Sequence, residues 1–254
     1  MDYKPLKTGN LTAKVPVIQG GMGIGISLGN LAGTVAKVGG IGIISAAQIG
    51  FKEADFDQNP EKANLRAIQK EYEKARKIAP DGVIGFNIMV AMRHYEKYVE
   101  AAIQAGADLI ISGAGLPMDL PKLVGDSVTK IAPIVSSRRA TQLILKMWAH
   151  RYQRTADFIV VEGPKAGGHL GFSRDQLKDM ENLDYDKEIR EIIACKREYE
   201  EKFQRKIPVV VAGGIFDRSD IEHVMELGAD GVQIASRFVA TKECDASDLY
   251  KQAY

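Results

Sequence analysis

The sequence has few features that would commit it to secretion or to binding nucleic acid. Its 254 residues include only two cysteines, Cys195 and Cys244, and the formal net charge is +1. Both cysteines sit in polar stretches far apart in sequence, which predicts a reducing compartment and no disulfide framework. The near-zero charge gives no electrostatic reason to expect nucleic acid or an anionic membrane as a partner.

Several kinds of segment are also missing. No apolar run reaches the roughly 18 residues that a membrane helix needs. Residues 1–14 are polar and mixed, so we expect no signal peptide and a cytoplasmic location. No cysteine and histidine cluster has metal-ligand spacing, so no metal is predicted.

What recurs instead is a short apolar run followed by a small-residue turn and a helical pattern. None of these runs alternates between apolar and polar residues, which is typical of parallel strands buried on both faces. Eight such units in one chain of this length favour a single-domain α/β protein over residues 1–254, a (β/α)8 TIM barrel, rather than an open sheet. The predicted strands are 15–19, 41–45, 83–89, 109–112, 131–136, 158–161, 209–212 and 231–235.

Two charged stretches interrupt this pattern as helical insertions after strands 2 and 6. Residues 51–80 predict a long helix over 61–78, and residues 172–206 predict a helix over 187–203. Each follows a strand end, so each is placed to roof one face of the barrel; surface decoration is the alternative for the first. The second directly follows His169, which favours a lid. Residues 247–254 resemble the start of a last helix, so we expect a C-terminally truncated barrel.

The stretch 160–171 is the most distinctive in the chain. A buried strand stops at Gly163-Pro164, and glycines at 167, 168 and 171 surround His169. Such glycines permit unusual backbone angles and leave room for a flat ligand. A barrel carries its active site at the C-terminal ends of its strands, which favours a chemical role for this imidazole. The alternative is a glycine-rich turn whose histidine only caps the next segment.

Other strand ends carry further candidates. The glycine-rich segment 19–25 fits neither a Walker loop nor a dinucleotide fingerprint, but a flat apolar ring can lie against it. Asn87 offers an amide to the edge of such a ring. Turns at 212–215 and 233–237 follow the last two strands, where barrels commonly hold a phosphate. Arg237 either adds charge there or forms a structural salt bridge, whereas His94, His150 and His223 are expected at the surface or in packing.

Together these segments resemble the nitronate monooxygenase family, formerly called 2-nitropropane dioxygenases. The Ala-Gly-Gly-His-x-Gly element in this order of motifs is its most specific part, and flavin-type enoyl-acyl-carrier-protein reductases share the motif set. The similarity runs from about residue 16 to about residue 246. It is carried by segments 16–22, 85–89, 166–171, 212–215 and 237–238.

The resemblance implies a barrel that binds FMN without a covalent link and uses His169 in its active site. It implies a flavin ring near Met22 and Gly23 that meets Asn87, with Gly167 close to the phosphate. Glu162 is also expected among the cofactor-binding residues. The phosphate itself is expected at Gly214, Gln233, Ile234, Ala235 and Ser236.

The implied reaction is oxidation of alkyl nitronates by O2 to carbonyl compounds and nitrite. The alternative is NAD(P)H-dependent reduction of enoyl thioesters, and a third possibility is a flavin-binding protein without turnover. The partners expected are small molecules, with a homodimer as one option. Three departures from many relatives stand out: Glu162 replaces Gln, Lys165 replaces an acidic or neutral residue, and Ala235-Ser236 replaces Gly-Thr.

Overall fold

Eight parallel strands close into a barrel in the structure, a computed structural model that describes residues 3–169 and 171–254. Each strand pairs with its neighbour along the chain, and the last also pairs with the first, which closes the ring. The barrel strands are β3 (Val17–Gln19), β4 (Ile41–Ser45), β5 (Val83–Met89), β6 (Leu109–Gly113), β7 (Lys130–Val135), β8 (Ile159–Glu162), β9 (Val209–Ala212) and β10 (Gly231–Ile234).

The predicted fold class is therefore confirmed, and all eight predicted strands end within two residues of the observed bounds. Helices separate successive strands. They are α1 (Gly29–Lys37), α2 (Pro60–Ile78), α3 (Tyr95–Ala105), α4 (Leu120–Val124), α5 (Arg138–Tyr152), α6 (Arg174–Lys178), α7 (Tyr185–Cys195), α8 (Arg197–Phe203), α9 (Arg218–Glu226), α10 (Ser236–Val239) and α11 (Asp248–Lys251), with a short 3-10 helix at Met180–Asn182.

Both charged segments are helical, and most of their helices belong to the outer ring of the barrel. Helix α2 packs between α1 and α3, and α7 packs against α5. Their buried positions recur at helical spacing, as in Ala63, Ala67 and Ile68 of α2, while the charged positions face solvent. The connection from β8 to α7 is longer than a simple βα loop. It comprises residues 163–184 and carries α6 and the 3-10 helix.

Strand residues alternate between two separate apolar layers. Side chains such as Ile43, Leu109 and Val160 fill the inside of the barrel. Their strand neighbours, such as Ile44, Ile110 and Val161, pack outward against the helices. The period-2 geometry of a strand thus divides each run of uniformly apolar residues between two cores.

An antiparallel hairpin, β1 (Leu6–Thr8) and β2 (Leu11–Ala13), closes the N-terminal end of the barrel. Leu6 and Ala13 belong to the interior apolar cluster. The Thr8 hydroxyl donates to the carbonyl oxygen of Asp157, just before β8, at 2.8 Å. The polar composition of residues 1–14 does not predict this hairpin, because its only fully buried apolar side chains are those of Leu6 and Ala13.

The two cysteines differ in their surroundings. Cys244 is buried in a small cluster with Ile26 and Val239, so the expectation of polar surroundings was wrong for this residue. Cys195 is half-buried, and burial raises the pKa of its thiol to about 11. Both are free thiols in the structure. Within the described residues, no helix combines the length and apolar content needed to cross a membrane.

The contact between α1 and β4 depends on the absence of a side chain at Gly42. A Cβ built there would lie 1.8 Å from the carbonyl oxygen of Ala32, whereas one at Gly167 would meet nothing within 4 Å. We expect Gly42→Ala to lower the free energy of unfolding by about 1–3 kcal/mol or more, because the helix must move away from the sheet. Urea unfolding measures this, with Gly167→Ala as the matched control. Equal stability of the two variants would contradict the packing described here.

Candidate active site at the barrel mouth

Polar side chains line the inside of the barrel at its C-terminal end. On β5, Phe86 and Ile88 point outward into the helical layer, so Asn87 points inward. Val160 fills the barrel interior, and therefore Glu162, two residues further along β8, also faces inward. It lies at the C-terminal end of the barrel interior, which we call the mouth. The outward position of Val232 places Gln233 inside in the same way. Three strands thus deliver polar groups into one space.

Glu162 and Gln233 flank the same small residue. Ala212 of β9 is the register partner of Glu162 on one side and of Gln233 on the other. Ala212 places only a methyl group between them. The Oε1 atom of Gln233 is buried and has no hydrogen-bond partner among the described residues. A buried, unpartnered acceptor costs free energy unless a ligand supplies the donor, which marks this position as part of a binding site.

The carboxyl group of Glu162 is the most perturbed acid at the mouth. Burial removes water from its charged form and raises its pKa to about 7. Near neutral pH this group therefore exists in both protonation states, so it can donate or accept a hydrogen bond. Titratable groups with such shifts, when they lie in a cleft, mark candidate functional sites.

Tyr185 lies next to Glu162 and was not anticipated from the sequence. Its ring packs against Gly163, where a Cβ would lie 2.9 Å from the Tyr185 Cε1 atom. The rings of Tyr185 and Phe172 meet edge to face, with their centroids 5.8 Å apart. Its hydroxyl is buried without a partner among the described residues. Burial, with the nearby charges of Glu188 and Glu162, raises the pKa of Tyr185, so the hydroxyl stays protonated and is available as a donor. A tyrosine at a helix start gives no sequence signal for this position.

The loop that carries His169 arches around the end of β8. On one side Ala166 lies against the end of β9. Its Cβ atom is 2.9 Å from the position that a Cβ would take on Gly213. On the other side Gly171 lies against the end of β7, with Ser136 Oγ 2.5 Å from its Cβ position. Between these anchors Gly167, Gly168 and His169 are exposed, and Leu170 of the predicted motif lies outside the described residues.

The first glycine turn closes the opposite side of the mouth. A Cβ at Gly21 would lie 2.4 Å from the Asn87 Cβ, so the turn and the amide are in direct contact. Gly20 abuts Gln233, and its amide donates to the carbonyl oxygen of Ile234 at 2.8 Å. The turn just before Met22 and Gly23 therefore contacts both Asn87 and Gln233. Gly23 is exposed, whereas Met22 packs partly into the small cluster around Cys244.

The residues predicted to hold the phosphate follow β9 and β10, which are neighbours. Gly213 and Gly214 both adopt positive φ, at +91° and +82°, which only glycine adopts easily. Ser236 begins the short helix α10 and is exposed. Ile234 points its side chain outward, so only its backbone faces the mouth. Arg237 donates to the Phe216 carbonyl oxygen at 2.9 Å, and it ties the turn after β9 to α10.

The other histidines lie outside the barrel interior, and His223 lines a cavity beside the Gly214 turn. His223 contacts Asp186 at 3.0 Å on the outer helices, and His150 is exposed on α5. His94 lies 3.5 Å from Glu61 at the rim of a 380 Å³ cavity between α2 and α3. Within residues 3–169 and 171–254, no group of three or more acidic, histidine or cysteine side chains is arranged to hold a metal.

The mouth suits a flat heteroaromatic ring with polar edges. Its floor is apolar, formed by interior side chains such as Ile43 and Val160, and its wall presents amide and carboxyl groups. Glycine turns at two sides let a ring approach the backbone. These residues fit a flavin better than a metal or a purely apolar ligand.

Glu162 gives the site a measurable pH signature. Its folded-state pKa of about 7 lies above its ordinary value of 4.5, so its contribution to stability is complete at low pH and is lost as the pH rises through 7. We expect Glu162→Gln to become more stable than the wild type by about 3 kcal/mol between pH 5 and pH 8. Urea unfolding across this range measures it, with the exposed Glu198→Gln as control. A difference that does not change with pH would contradict a buried, unpaired carboxyl.

Comparison with known proteins identifies the family. A model of the nitronate monooxygenase family matches residues 4–254. A protein of Staphylococcus saprophyticus described as a probable nitronate monooxygenase is 27% identical over 97% of this chain and 71% of its own length.

Solved structures show the same fold. FabK from Thermotoga maritima superposes with a TM-score of 0.70 at 24% identity, and the match covers 94% of this chain and 63% of the FabK chain. Nitroalkane oxidase from Streptomyces ansochromogenes gives a TM-score of 0.71 at 19% identity, covering 94% and 70%. These relatives are longer than the present chain. The family match spans nearly all of it, and the chain belongs to the nitronate monooxygenase family, a family of oxidoreductases.

Proposed function

We propose that this protein binds FMN at the barrel mouth and oxidises alkyl nitronates with O2 to carbonyl compounds and nitrite. The observation that carries the proposal is the layer of inward polar groups, Asn87, Glu162 and Gln233, at the strand ends from which the loop with His169 departs. The family match and the curated relatives described as probable nitronate monooxygenases support the flavin and the substrate class.

The residues present can hold the cofactor from three sides. Asn87 and the segment from Gly20 to Gly23, which includes the partly buried Met22, would contact the ring. Gln233 offers its unpartnered Oε1 to a ring N–H, which removes the cost of leaving this buried acceptor unpaired. The turns at Gly214 and at Ala235-Ser236 hold the phosphate with backbone amides, with Gly167 nearby.

Bound FMN would supply the electron-transfer chemistry between the substrate and O2. A nitronate is already an anion at carbon and oxygen, so the protein need not remove a proton first. The reaction balances as two nitronate ions and one O2 giving two carbonyl molecules and two nitrite ions. The task left to the protein is to orient the nitronate and to stabilise its negative charge.

His169 and Glu162 divide this task. His169 donates a hydrogen bond to the nitro oxygens, and for a neutral nitroalkane its imidazole takes the proton from carbon. Glu162, in its neutral form, donates a hydrogen bond without adding a second negative charge beside an anionic substrate. Ionised Glu162 repels the nitronate, so the raised pKa of this carboxyl favours binding up to about pH 7.

The second candidate is an NAD(P)H-dependent reductase of enoyl thioesters. The likeness to FabK favours it only at the level of the fold. The two functions differ in which molecule reduces the flavin, so they can be separated without steady-state turnover.

The first test is anaerobic reduction of the flavin-loaded protein. We expect a visible absorption spectrum typical of flavin and rapid bleaching of its band near 450 nm by ethylnitronate, about tenfold or more faster than by NADH or NADPH at equal concentration. Stopped-flow absorbance measures both rates. Faster bleaching by a reduced nicotinamide would support the reductase, and a protein that binds no flavin would refute both assignments.

The second test addresses His169. We expect His169→Ala to retain FMN but to lose about 100-fold or more in the rate of flavin reduction by nitronate, the usual scale for removing a positioned hydrogen-bond donor to a negatively charged oxygen. His150→Ala is the matched control, because that histidine is exposed on α5, and it should react like the wild type. Loss of FMN from His169→Ala would assign the imidazole to cofactor binding instead.

A further inference from the structure

Lys165 lies across the second glycine turn of the mouth. Its Cδ, Cβ and Cγ atoms lie 2.9, 3.0 and 3.5 Å from the position that a Cβ would take on Gly214. Gly214 has φ of +82°, so glycine is needed there both for the backbone and for the space that the lysine stem fills. The stem is therefore held along the turn, and the ammonium is two bonds beyond Cδ.

The turn beneath Lys165 has free donors of its own. Within residues 3–169 and 171–254, the backbone amides of Gly214 and Ile215 have no acceptor. Both residues and Lys165 line a cavity of 430 Å³. Free backbone amides in a glycine turn with an adjacent ammonium form the donor set that binds a phosphate group.

The wall of this cavity carries negative charge, so a cation beside the turn is important for binding a phosphate. Asp184, Asp186 and Asp220 line the same cavity, and their negative charges oppose an incoming phosphate dianion. Asp184 accepts a hydrogen bond from the Lys187 amide at 3.0 Å, and Asp186 accepts one from His223 at 3.0 Å. Asp220 accepts hydrogen bonds from the amides of Phe216 and Asp217 at 2.8 and 3.1 Å. These hydrogen bonds hold the three carboxylates in place.

Lys165 itself is not committed to an ion pair. No carboxylate of the described chain approaches its ammonium within 4.0 Å. The cation is therefore available to a ligand, and holding the stem on Gly214 reduces the entropy lost when the ammonium is used.

We propose that Lys165 binds the phosphate of FMN and makes the site prefer FMN over riboflavin, which lacks the phosphate. This inference rests on the proposed FMN site and adds to it the side chain of Lys165. The carboxylates on the wall explain why a cation is required at this turn.

The test compares the dissociation constants of FMN and riboflavin, measured by quenching of flavin fluorescence with the apoprotein. Lys165→Met keeps most of the apolar stem on Gly214 and removes the charge. We expect the FMN dissociation constant to rise about tenfold to a hundredfold, while that of riboflavin stays unchanged. Lys165→Arg should restore most of the FMN affinity. Lys178→Met, on the exposed helix α6, is the control and should bind both flavins like the wild type.

Two results would overturn the inference while leaving the flavin site intact. Unchanged FMN affinity in Lys165→Met would show that the ammonium does not reach the phosphate. An equal loss of FMN and riboflavin affinity would show that the stem shapes the turn and the charge is irrelevant. If the wild type binds neither flavin, the proposed function fails along with this inference, so the two failures are distinguishable.

Discussion

Closure of the barrel fixes which side chains face inward, and the candidate site depends on this constraint. A strand exposes alternate residues to opposite faces, and pairing of β10 with both β3 and β9 leaves no edge at which the register could slip. Interior positions below the mouth are apolar and pack to a solid core. On three strands the last inward position is polar rather than apolar. These residues, Asn87, Glu162 and Gln233, therefore line the wall of the mouth.

Burial at this level gives the polar groups their chemistry. Glu162 is far enough inside to lose water and gain a pKa of about 7, yet it still borders an open mouth. Gln233 and Tyr185 carry buried polar atoms without partners among the described residues, and unpaired groups of this kind are costly in a folded protein. The cost is explained if a ligand with polar edges completes the hydrogen bonds. The loop with His169 is anchored beside this group at Ala166 and Gly171, against the ends of β9 and β7.

Much of the fold was predictable because each strand is a short apolar run bounded by turns. The loop with His169 and the glycine turns were found from the sequence for the same reason, since glycine marks where backbone approaches backbone. The inward direction of Glu162 was not predictable from its own segment, because both faces of β8 are apolar before it. Tyr185 and the hairpin at Leu6 were missed because long-range packing, rather than local pattern, gives them their roles.

The most direct test of this account is a crystal structure of the protein with FMN bound. The account predicts that the isoalloxazine ring lies inside the mouth, on the apolar floor, with its edge within hydrogen-bond distance of Asn87 or Gln233 and the phosphate at the Gly214 turn. A ring bound instead in the cavity between α2 and α3 beside His94, or a mouth filled by its own side chains, would contradict it.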